Sequence, residues 1–547
     1  MAAMTGFLEA SIFSKSSWPW RRKISPSFGY FDNGIKKLNF KSIDFEESTK
    51  FALAVKTEHG VKDYYGMARV LDRFDKVKAV FNFSGILLEQ IMDYADNKAK
   101  DYYSILTLKS PKYLTQKEKG FIIDRFFSLN LERYIRPNKR YLQLYQKKIS
   151  KAKFSSQDIM DLQAIFNMSW FHPFTIKENK HLRELIQKGR SYTKSDKEYI
   201  IHKQYDVLTK IIPLYRRLLK EKRIEISITP YAHPIMPLIY DTDILKEFSY
   251  LKNPLIRFSY PHDCQRHLDM SQDICRSIFG RNAKGSWPSE GSVSEAVAGV
   301  YTDKGFNWIG TDEGILFKSL TTEFVSYDMI RNQRHIIYQP YNFRGLNIFF
   351  RDRNLSDAIS FIYQGWEDPV FAANDLLEHF KRIHYYTQAM VKNRVISIIM
   401  DGENAWEYYK NNGVEFLETV YSALEKSKIL SSTTPSEFIS KHDSKRLERL
   451  SPGSWINSDF GVWAGSKENN HNWYVLKRIR EQIDRVKDKD TKDRLMERFR
   501  ILEGSDWNWW NTFEETTGEF KRIFISYIQD IYKILGKRAP SYIINRK

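Results

Sequence analysis

Two acidic residues in separate parts of the chain are the side chains best placed to do chemistry. Glu290 lies in Gly285-Ser-Trp-Pro-Ser-Glu-Gly291, and Asp401 ends the run Val395-Ile-Ser-Ile-Ile-Met-Asp401. Two carboxyl groups that converge on one sugar can cleave a glycosidic bond: one attacks or stabilises an oxocarbenium-like centre, and the other protonates the leaving oxygen. The surrounding elements must therefore bring Glu290 and Asp401 to one pocket.

The residues before Asp401 predict a buried strand that ends at this carboxylate. The run from Val395 to Met400 is apolar apart from Ser397, which is typical of a strand covered on both faces, and Gly402 allows an immediate turn. Catalytic groups of α/β barrels stand at the carboxyl ends of strands. The alternative is that Asp401 only caps a helix, but its position at a strand end favours a functional role.

Glu290 is predicted to lie in a loop just before a helix. Ser292 and Glu295 match the S-x-x-E capping box, so Glu295 is assigned a structural role and Glu290 is left outside the cap. Trp287 nearby could offer an aromatic ring to a pyranose face. The alternative is that Glu290 is an exposed loop residue.

Strand-like runs alternate with helix-length spacers along the middle of the chain, which predicts a parallel sheet or barrel. These runs are Val77–Phe83, Ile224–Ile228, Ile256–Tyr260, Trp308–Gly310, Ile348–Phe350 and Val395–Ile399. We predict an irregular lead-in over residues 1–50 and a barrel over 51–405 with a helical insertion at about 111–222. Residues 406–547 are predicted to form a helical region that contributes to the substrate cleft.

Composition limits the partners. The net charge of +19 raises nucleic-acid binding as a rival hypothesis, but basic residues are spread along helix-like segments, so no nucleic-acid partner is predicted. Charges interrupt every apolar run, so no membrane partner is predicted. The only two cysteines, Cys264 and Cys275, fit a reducing compartment, and we expect a cytoplasmic protein. The sequence contains no metal or cofactor motif, so none is predicted, and it leaves the oligomeric state open.

Five motifs in order resemble glycoside hydrolase family 57, the α-amylase, 4-α-glucanotransferase and branching-enzyme family. They are Glu225-Ile-Ser-Ile-Thr-Pro-Tyr-Ala-His-Pro234, Trp287-Pro-Ser-Glu-Gly-Ser-Val-Ser294, Trp308-Ile-Gly-Thr-Asp-Glu313, Asp401-Gly-Glu-Asn-Ala-Trp406 and Gly453-Ser-Trp455. The resemblance extends from about residue 59 to about residue 542. Such an ordered series is far more specific than any single motif.

The resemblance implies an α/β fold, an incomplete seven-stranded (β/α) barrel of the glycoside hydrolase/deacetylase type, with a C-terminal helical region. It also implies a retaining mechanism on an α-linked glucan or maltooligosaccharide, with Glu290 as nucleophile and Asp401 as general acid/base. The substrate-binding residues expected from the motifs and their surroundings are Glu225, His233, Trp287, Asp312, Glu403, Trp455 and Trp463.

One departure from the family concerns the first barrel strand. Members carry a His-Gln-Pro motif there, and residues 1–60 contain none. Either the N-terminal segment has diverged or the first strand is missing. The competing hypothesis is therefore a catalytically impaired glucan-binding protein that keeps the pocket.

Overall fold

The protein is described by a computed structural model that covers residues 2–9, 59–96, 100–251, 256–403, 405–513 and 519–544. Its strands are β1 Ala2–Glu9, β2 Ala79–Ser84, β3 Ile224–Thr229, β4 Gly285–Ser286, β5 Trp308–Asp312, β6 Tyr341–Phe343, β7 Leu346–Arg351, β8 Val395–Asp401, β9 Leu430–Ser432 and β10 Lys445–Arg446.

Seven parallel strands form the main sheet in the order β8, β1, β2, β3, β4, β5, β7. The short strand β6 runs antiparallel to β7 and pairs with β10, while β9 pairs with β1. This arrangement agrees with the predicted incomplete seven-stranded barrel.

The α-helices are interspersed with the strands along the chain, and the last of them follow the final strand. They are α1 Tyr65–Leu71, α2 Gly85–Ala95, α3 Tyr102–Leu108, α4 Gln116–Arg125, α5 Lys139–Ile149, α6 Ser156–Met168, α7 Pro173–Glu178, α8 Lys180–Lys188, α9 Lys194–Lys220, α10 Met236–Tyr240, α11 Pro261–Phe279, α12 Glu295–Asp303, α13 Glu313–Leu320, α14 Tyr327–Arg331, α15 Arg353–Asp357, α16 Pro369–Thr387, α17 Val414–Lys426, α18 Pro435–Ile439, α19 Lys467–Asp484, α20 Lys489–Leu502, α21 Asp506–Thr512, α22 Glu519–Ile534 and α23 Ser541–Ile544. None of these described helices has the length and apolar character needed to cross a membrane.

Side-chain and loop contacts link the two ends of the sheet, β7 and β8. Asp352 N, just after β7, donates to Ser397 O on β8 at 2.9 Å. The Arg351 Nε atom donates to Ile399 O at 2.7 Å. These bonds hold the last strand of the barrel, which carries Asp401, beside the end of β7.

The interior of the barrel is filled by large apolar side chains. This is expected, because the interior of a (β/α) barrel is a packed core and not an open pore. These side chains are Val80, Trp287, Trp308, Phe349, Val395 and Ile399, joined by Phe438. Gly285 on β4 lies directly against the indole of Trp308, since a Cβ at this position would be 1.8 Å from Trp308 Cε2. The absence of a side chain at Gly285 leaves room for the indole ring of Trp308.

Two expectations about elements are corrected. Ile256–Tyr260 is not a strand: Phe258 O accepts from Thr242 N and Tyr260 N donates to Ile239 O, so this segment bonds to the end of α10 and the turn after it. The helix after Glu290 is capped by Ser294, not by Ser292, because the Ser294 side chain accepts from Val297 N.

The first barrel strand is present. Strand β1 lies within the predicted irregular lead-in and pairs with both β2 and β8, so a missing strand is ruled out. Residues 10–58 of that lead-in lie outside the described residues. The sequence of β1 contains no His-Gln-Pro, so the departure concerns the residues of the strand and not its existence. The domain boundaries remain predictions.

Candidate active site

Asp401 and Glu290 lie at the carboxyl end of the barrel. Asp401 is the last residue of β8 and is 1% exposed, while Glu290 follows β4 in the loop before α12 and is 3% exposed. Both carboxyl groups are therefore inside the protein at the end where parallel strands of a barrel present their loops.

The loop after β4 holds Glu290 in a constrained backbone conformation. Glu290 has φ 57° and ψ 26°, in the left-handed region that is uncommon for a residue with a Cβ. Contacts on both sides fix the loop: Thr311 Oγ1 donates to Gly291 O at 2.6 Å, and Trp455 N donates to Glu290 O at 2.9 Å. Such conformations persist where the surroundings determine them, and they are concentrated at functional sites.

Trp455 binds the carboxyl group of Glu290 directly. Its indole Nε1 donates to Glu290 Oε2 at 2.7 Å. The guanidinium of Arg351, at the end of β7, lies 5.1 Å from the centre of the Trp455 ring, and Trp287 contacts the same ring edge-on at 5.6 Å. Trp455 is thus fixed from two sides and presents its N–H to Glu290.

The ionisation of Glu290 is set by opposing influences. Burial raises the pKa of Glu290 well above its ordinary value, and the hydrogen bond from Trp455 acts in the opposite direction. The charges of Asp401 and Asp506 raise the pKa of Glu290 further. Both aspartates are therefore close enough to Glu290 for their charges to act on it.

Sequence reasoning missed Asp506. It is the first residue of α21, in the C-terminal helical region, and burial raises its pKa to about 6. No strand end marks this carboxylate in the sequence. The signal that could have drawn attention to it is an acidic residue that opens the aromatic run Asp506-Trp-Asn-Trp-Trp510.

Glu403 lies next to Asp401, as expected, but faces the interior. It is 3% exposed, and a hydrogen bond joins its carboxyl group to the Tyr64 hydroxyl. Burial raises the pKa of Glu403 well above its ordinary value, and the charge of Asp401 adds to this effect. Glu403 therefore lies close to Asp401, and its surroundings favour the protonated, neutral form of the Glu403 carboxyl group.

His233 is held by the segment that precedes Asp506. Its Nδ1 and the Ser505 hydroxyl lie 2.8 Å apart, and Ser505 N donates to His233 O at 3.1 Å. Burial lowers the pKa of His233 to about 4, so the imidazole is neutral near pH 7. These bonds connect the loop after β3 to the start of α21.

Asp312 is engaged by structural contacts. It ends β5, and its Oδ1 accepts from Gly314 N at 2.9 Å to cap α13. Its carboxylate also forms an ion pair with Arg353 and lies 3.8 Å from Arg351 Nη1. Asp312 thus connects to Trp455 through Arg351.

The structure does not bring Glu225, Trp287 or Trp463 to the site surface. Glu225 is the second residue of β3, at the opposite end of the barrel, where Ser436 N, Ser436 Oγ and Trp308 Nε1 donate to its carboxylate. Trp287 is 0% exposed inside the barrel, so its faces are covered by neighbouring side chains. Trp463 is likewise fully buried, packed in the core beside Trp509.

The described residues contain no group of three or more His, Cys, Asp or Glu side chains that could hold a metal ion. The chemistry open to this arrangement is proton transfer and nucleophilic attack by carboxyl groups, since the charges of Asp401 and Asp506 both act on Glu290.

Comparisons with known proteins agree with this architecture. The sequence matches the family described as glycosyl hydrolase family 57 over residues 41–451. A family 57 branching enzyme from Pyrococcus horikoshii shares the fold with a TM-score of 0.60 at 12% identity, covering 100% of this chain and 93% of the other. Among curated proteins, none matches the chain significantly.

Two further structures share the fold. A family 57 branching enzyme from Thermococcus kodakaraensis has a TM-score of 0.58 at 14% identity, with coverage of 97% and 90% of the two chains. An α-amylase from Thermotoga maritima has a TM-score of 0.57 at 13% identity, with coverage of 100% and 96%. These comparisons confirm the predicted fold class.

The family match includes both Glu290 and Asp401 and covers well over half of the chain, whereas Trp455 and Asp506 lie beyond it. The resemblance drawn from the ordered motifs is confirmed. The chain belongs to glycosyl hydrolase family 57 and is an enzyme of the glycoside hydrolase or transglycosylase type.

Proposed function

We propose that the protein is a retaining glycosidase or transglycosylase that acts on α-linked glucans or maltooligosaccharides. Glu290 is the nucleophile and Asp401 the general acid/base. The observation that carries the proposal is the Glu290 carboxyl group itself: it is buried, bound by Trp455 Nε1 at 2.7 Å, and subject to the charge of Asp401 at the end of β8.

In the first step Glu290 attacks the anomeric carbon while protonated Asp401 gives its proton to the leaving glycosidic oxygen. In the second step Asp401, now ionised, removes a proton from the incoming water or sugar hydroxyl, which displaces Glu290. Water completes hydrolysis, and a sugar hydroxyl completes transfer. A retaining pair requires carboxyl groups about 5–5.5 Å apart.

This scheme requires one proton on the pair, with Glu290 ionised. The mutual repulsion of two buried carboxylates favours a single proton, because both cannot ionise freely in low dielectric. The Trp455 N–H binds Glu290 and stabilises its ionised form, which supports placing the proton on Asp401. We therefore assign Trp455 the role of holding the nucleophile charged.

We also propose a cytoplasmic location and a cleft completed by the C-terminal helical region. Cys264 and Cys275 are both free thiols, which supports a reducing compartment. Trp455 and Asp506, both beyond residue 406, act on Glu290, which supports a contribution of this region to the cleft.

The second candidate function is glucan binding without turnover. It is favoured by the sequence of β1, which lies beside β8 with Glu9 opposite Asp401 yet lacks the His-Gln-Pro motif expected on the first strand. An incomplete sugar subsite would weaken transition-state binding even with both catalytic carboxyl groups in place.

A product assay separates these functions. Purified protein is incubated with maltooligosaccharides and with soluble starch, beside Glu290→Gln and the control Glu295→Gln. Glu295 bonds Arg344 and Leu450 N at the start of α12, outside the proposed site, so its variant should keep turnover. Shorter sugars alone indicate hydrolysis, and products both longer and shorter than the input indicate transfer. Bound but unchanged glucan supports the second function.

A further inference from the structure

A pair of stacked aromatic rings stands on the surface at the barrel end that carries Asp401. Phe371 is 64% exposed, and its ring lies 5.4 Å from that of Trp366 with an angle of 29° between the planes. Val370 beside them is 41% exposed. We call Trp366 and Phe371 the aromatic platform.

The platform is built rigidly. Tyr363 is buried beneath it, contacts Trp366 edge-on at 5.0 Å, and donates from its hydroxyl to Asp375 Oδ2 at 2.6 Å. The side chain of Asp368 accepts from Val370 N and Phe371 N and so caps α16. Fixed, exposed aromatic surface has no folding advantage of its own, and such surface commonly marks an interaction site.

The connectivity places the platform on the catalytic side of the barrel. Strand β7 ends at Arg351, and α16 returns the chain to β8, so the connecting segment 352–368 starts from the carboxyl ends of the strands. Arg133 ties this segment to the one that follows Asp401, because Nη2 donates to Gln364 O and Nε donates to Tyr408 O.

We propose that the aromatic platform is a second binding site for the glucan chain, outside the catalytic centre. This inference rests on the proposed function. Pyranose rings have an apolar C–H face that packs on an aromatic ring, and two adjacent rings offer such a surface to neighbouring sugar units. A chain held here would be retained near the cleft between cleavage events.

The charges beside the platform favour a neutral, hydroxyl-rich ligand over anionic partners. Glu367 and Asp368, exposed acidic residues, lie between Trp366 and Phe371 in the chain. Carboxylates repel phosphate groups, so anionic lipid and nucleic acid are disfavoured at this surface. The same carboxylates can accept hydrogen bonds from sugar hydroxyls.

The test measures glucan affinity in the Glu290→Gln background, where the sugar is not consumed. Calorimetry with soluble starch and with maltotriose is run on the parent, on Trp366→Ala/Phe371→Ala, and on Tyr386→Ala. Tyr386 is a matched control because it is 50% exposed near the other end of the same helix. We expect the double variant to bind starch about tenfold more weakly, equivalent to about 1.4 kcal/mol. Its affinity for maltotriose and both affinities of Tyr386→Ala should equal those of the parent.

Equal starch affinity in the parent and the double variant would overturn the inference. So would a wild-type dimer that the double variant converts to a monomer, because the platform would then be a self-association surface. Phe371→Leu keeps apolar volume without an aromatic face, and weaker starch binding with unchanged thermal stability excludes loss of folding. If Glu290→Gln binds neither starch nor maltotriose, the proposed function itself is contradicted. The product assay on the wild type tests that function separately from the platform.

Discussion

At the scale of single residues, the charge of Glu290 depends on two neighbours that act in opposite directions. Trp455 lowers the pKa of Glu290 through its hydrogen bond, whereas the negative charge of Asp506 raises it. Both neighbours come from the C-terminal part of the chain, and each can be removed separately by a substitution of similar size. Because the nucleophile must be ionised, activity should fall below the pKa of Glu290.

Trp455→Phe removes the indole N–H but keeps an aromatic ring. The pKa of Glu290 should rise, so the acidic limb of the pH profile of kcat/KM should move to higher pH. The profile is measured on maltooligosaccharides, with wild type as reference. A limb that stays in place would show that Trp455 does not hold the nucleophile charged.

Asp506→Asn removes a like charge from the surroundings of Glu290. The expected shift is opposite in sign: the pKa of Glu290 falls and the acidic limb moves to lower pH. Asp303→Asn, an exposed carboxylate at the end of α12, is the matched control and should cause no shift. A shift to higher pH in Asp506→Asn would contradict the electrostatic role assigned to this residue.

The sequence indicated the two carboxylates of the proposed catalytic pair but not their full environment. Asp401 could be identified because a buried strand followed by glycine has a recognisable pattern. The position of Glu225 near the amino end of β3 could not be predicted in the same way. Alternation along a strand indicates which face of the sheet a side chain occupies, but not which end of the barrel it lies at. Asp506 requires tertiary contacts that no local pattern encodes.

At the scale of elements, the two-residue strand β4 has a strict steric requirement. Gly285 on β4 has no room for a side chain, because a Cβ there would meet the indole ring of Trp308 at 1.8 Å. Gly285→Ala must displace this ring from the barrel interior, and overpacking of this kind costs roughly 1–3 kcal/mol. We expect a lower thermal unfolding midpoint, measured by calorimetry.

Gly299 provides the matched substitution. It lies within α12, and no atom within 4 Å would meet a Cβ there. Gly299→Ala should therefore leave the midpoint unchanged or raise it, because alanine favours helix by about 0.5–1 kcal/mol over glycine. Equal midpoints for the two variants would contradict the packing described for the barrel interior.

Periodicity predicted β2, β3, β5, β7 and β8, but not β1, which lies in the segment expected to be an irregular lead-in. It did not predict β4, because two residues cannot establish an alternating pattern. Ile256–Tyr260 has strand-like residues but bonds to the end of α10 and the turn after it. Tertiary contacts, and not the local residue pattern, determine the structure of this segment. The cap of α12 was misplaced because Ser292 and Ser294 are both suitable caps, and backbone geometry selects between them.

At the scale of the whole molecule, a buried polar cluster joins the C-terminal helices to the barrel. His267 of α11 lies 2.9 Å from Glu503 Oε2, and both side chains are fully buried. Asp263, also on α11, lies 3.2 Å from Arg480 Nε of α19 through its Oδ2 atom. Glu503 precedes Ser505 and Asp506 in the chain, so this contact positions the segment that reaches the site.

This cluster predicts a pH dependence of stability. Burial raises the pKa of Glu503 to about 8 and that of Asp263 to about 7, where the charge of Glu503 adds to the effect. The folded state therefore keeps protons that the unfolded chain releases above about pH 4, and the stability so gained is lost as the pH rises through 7 and 8.

Burial lowers the pKa of His267 to about 3. Loss of the His267 proton from the unfolded chain therefore makes stability rise with pH, but only below about pH 6.5. The unfolding midpoint of the wild type should consequently fall between about pH 6.5 and 8, and Glu503→Gln should flatten that slope. Thermal unfolding at several pH values measures both. An identical slope in the variant would contradict the assignment.

The family motifs allowed the barrel to be predicted from the sequence at low overall similarity, because their order along the chain fixes which strand ends meet. The docking of the C-terminal helices could not be predicted, since it depends on buried pairs such as His267 with Glu503, which are 236 residues apart. These pairs help to position Asp506, whose charge acts on Glu290, and no local sequence pattern indicates that effect.

Trapping of the glycosyl-enzyme intermediate tests the central claim most directly. A 5-fluoro glycosyl fluoride is incubated with Asp401→Asn, and the labelled peptide is mapped by mass spectrometry. Fluoride leaves without a proton, while the second step lacks its base, so an ester on Glu290 should accumulate and Glu290→Gln should remain unlabelled. A label on another carboxylate, or no label while glucan still binds, would contradict the assignment of Glu290 as the nucleophile.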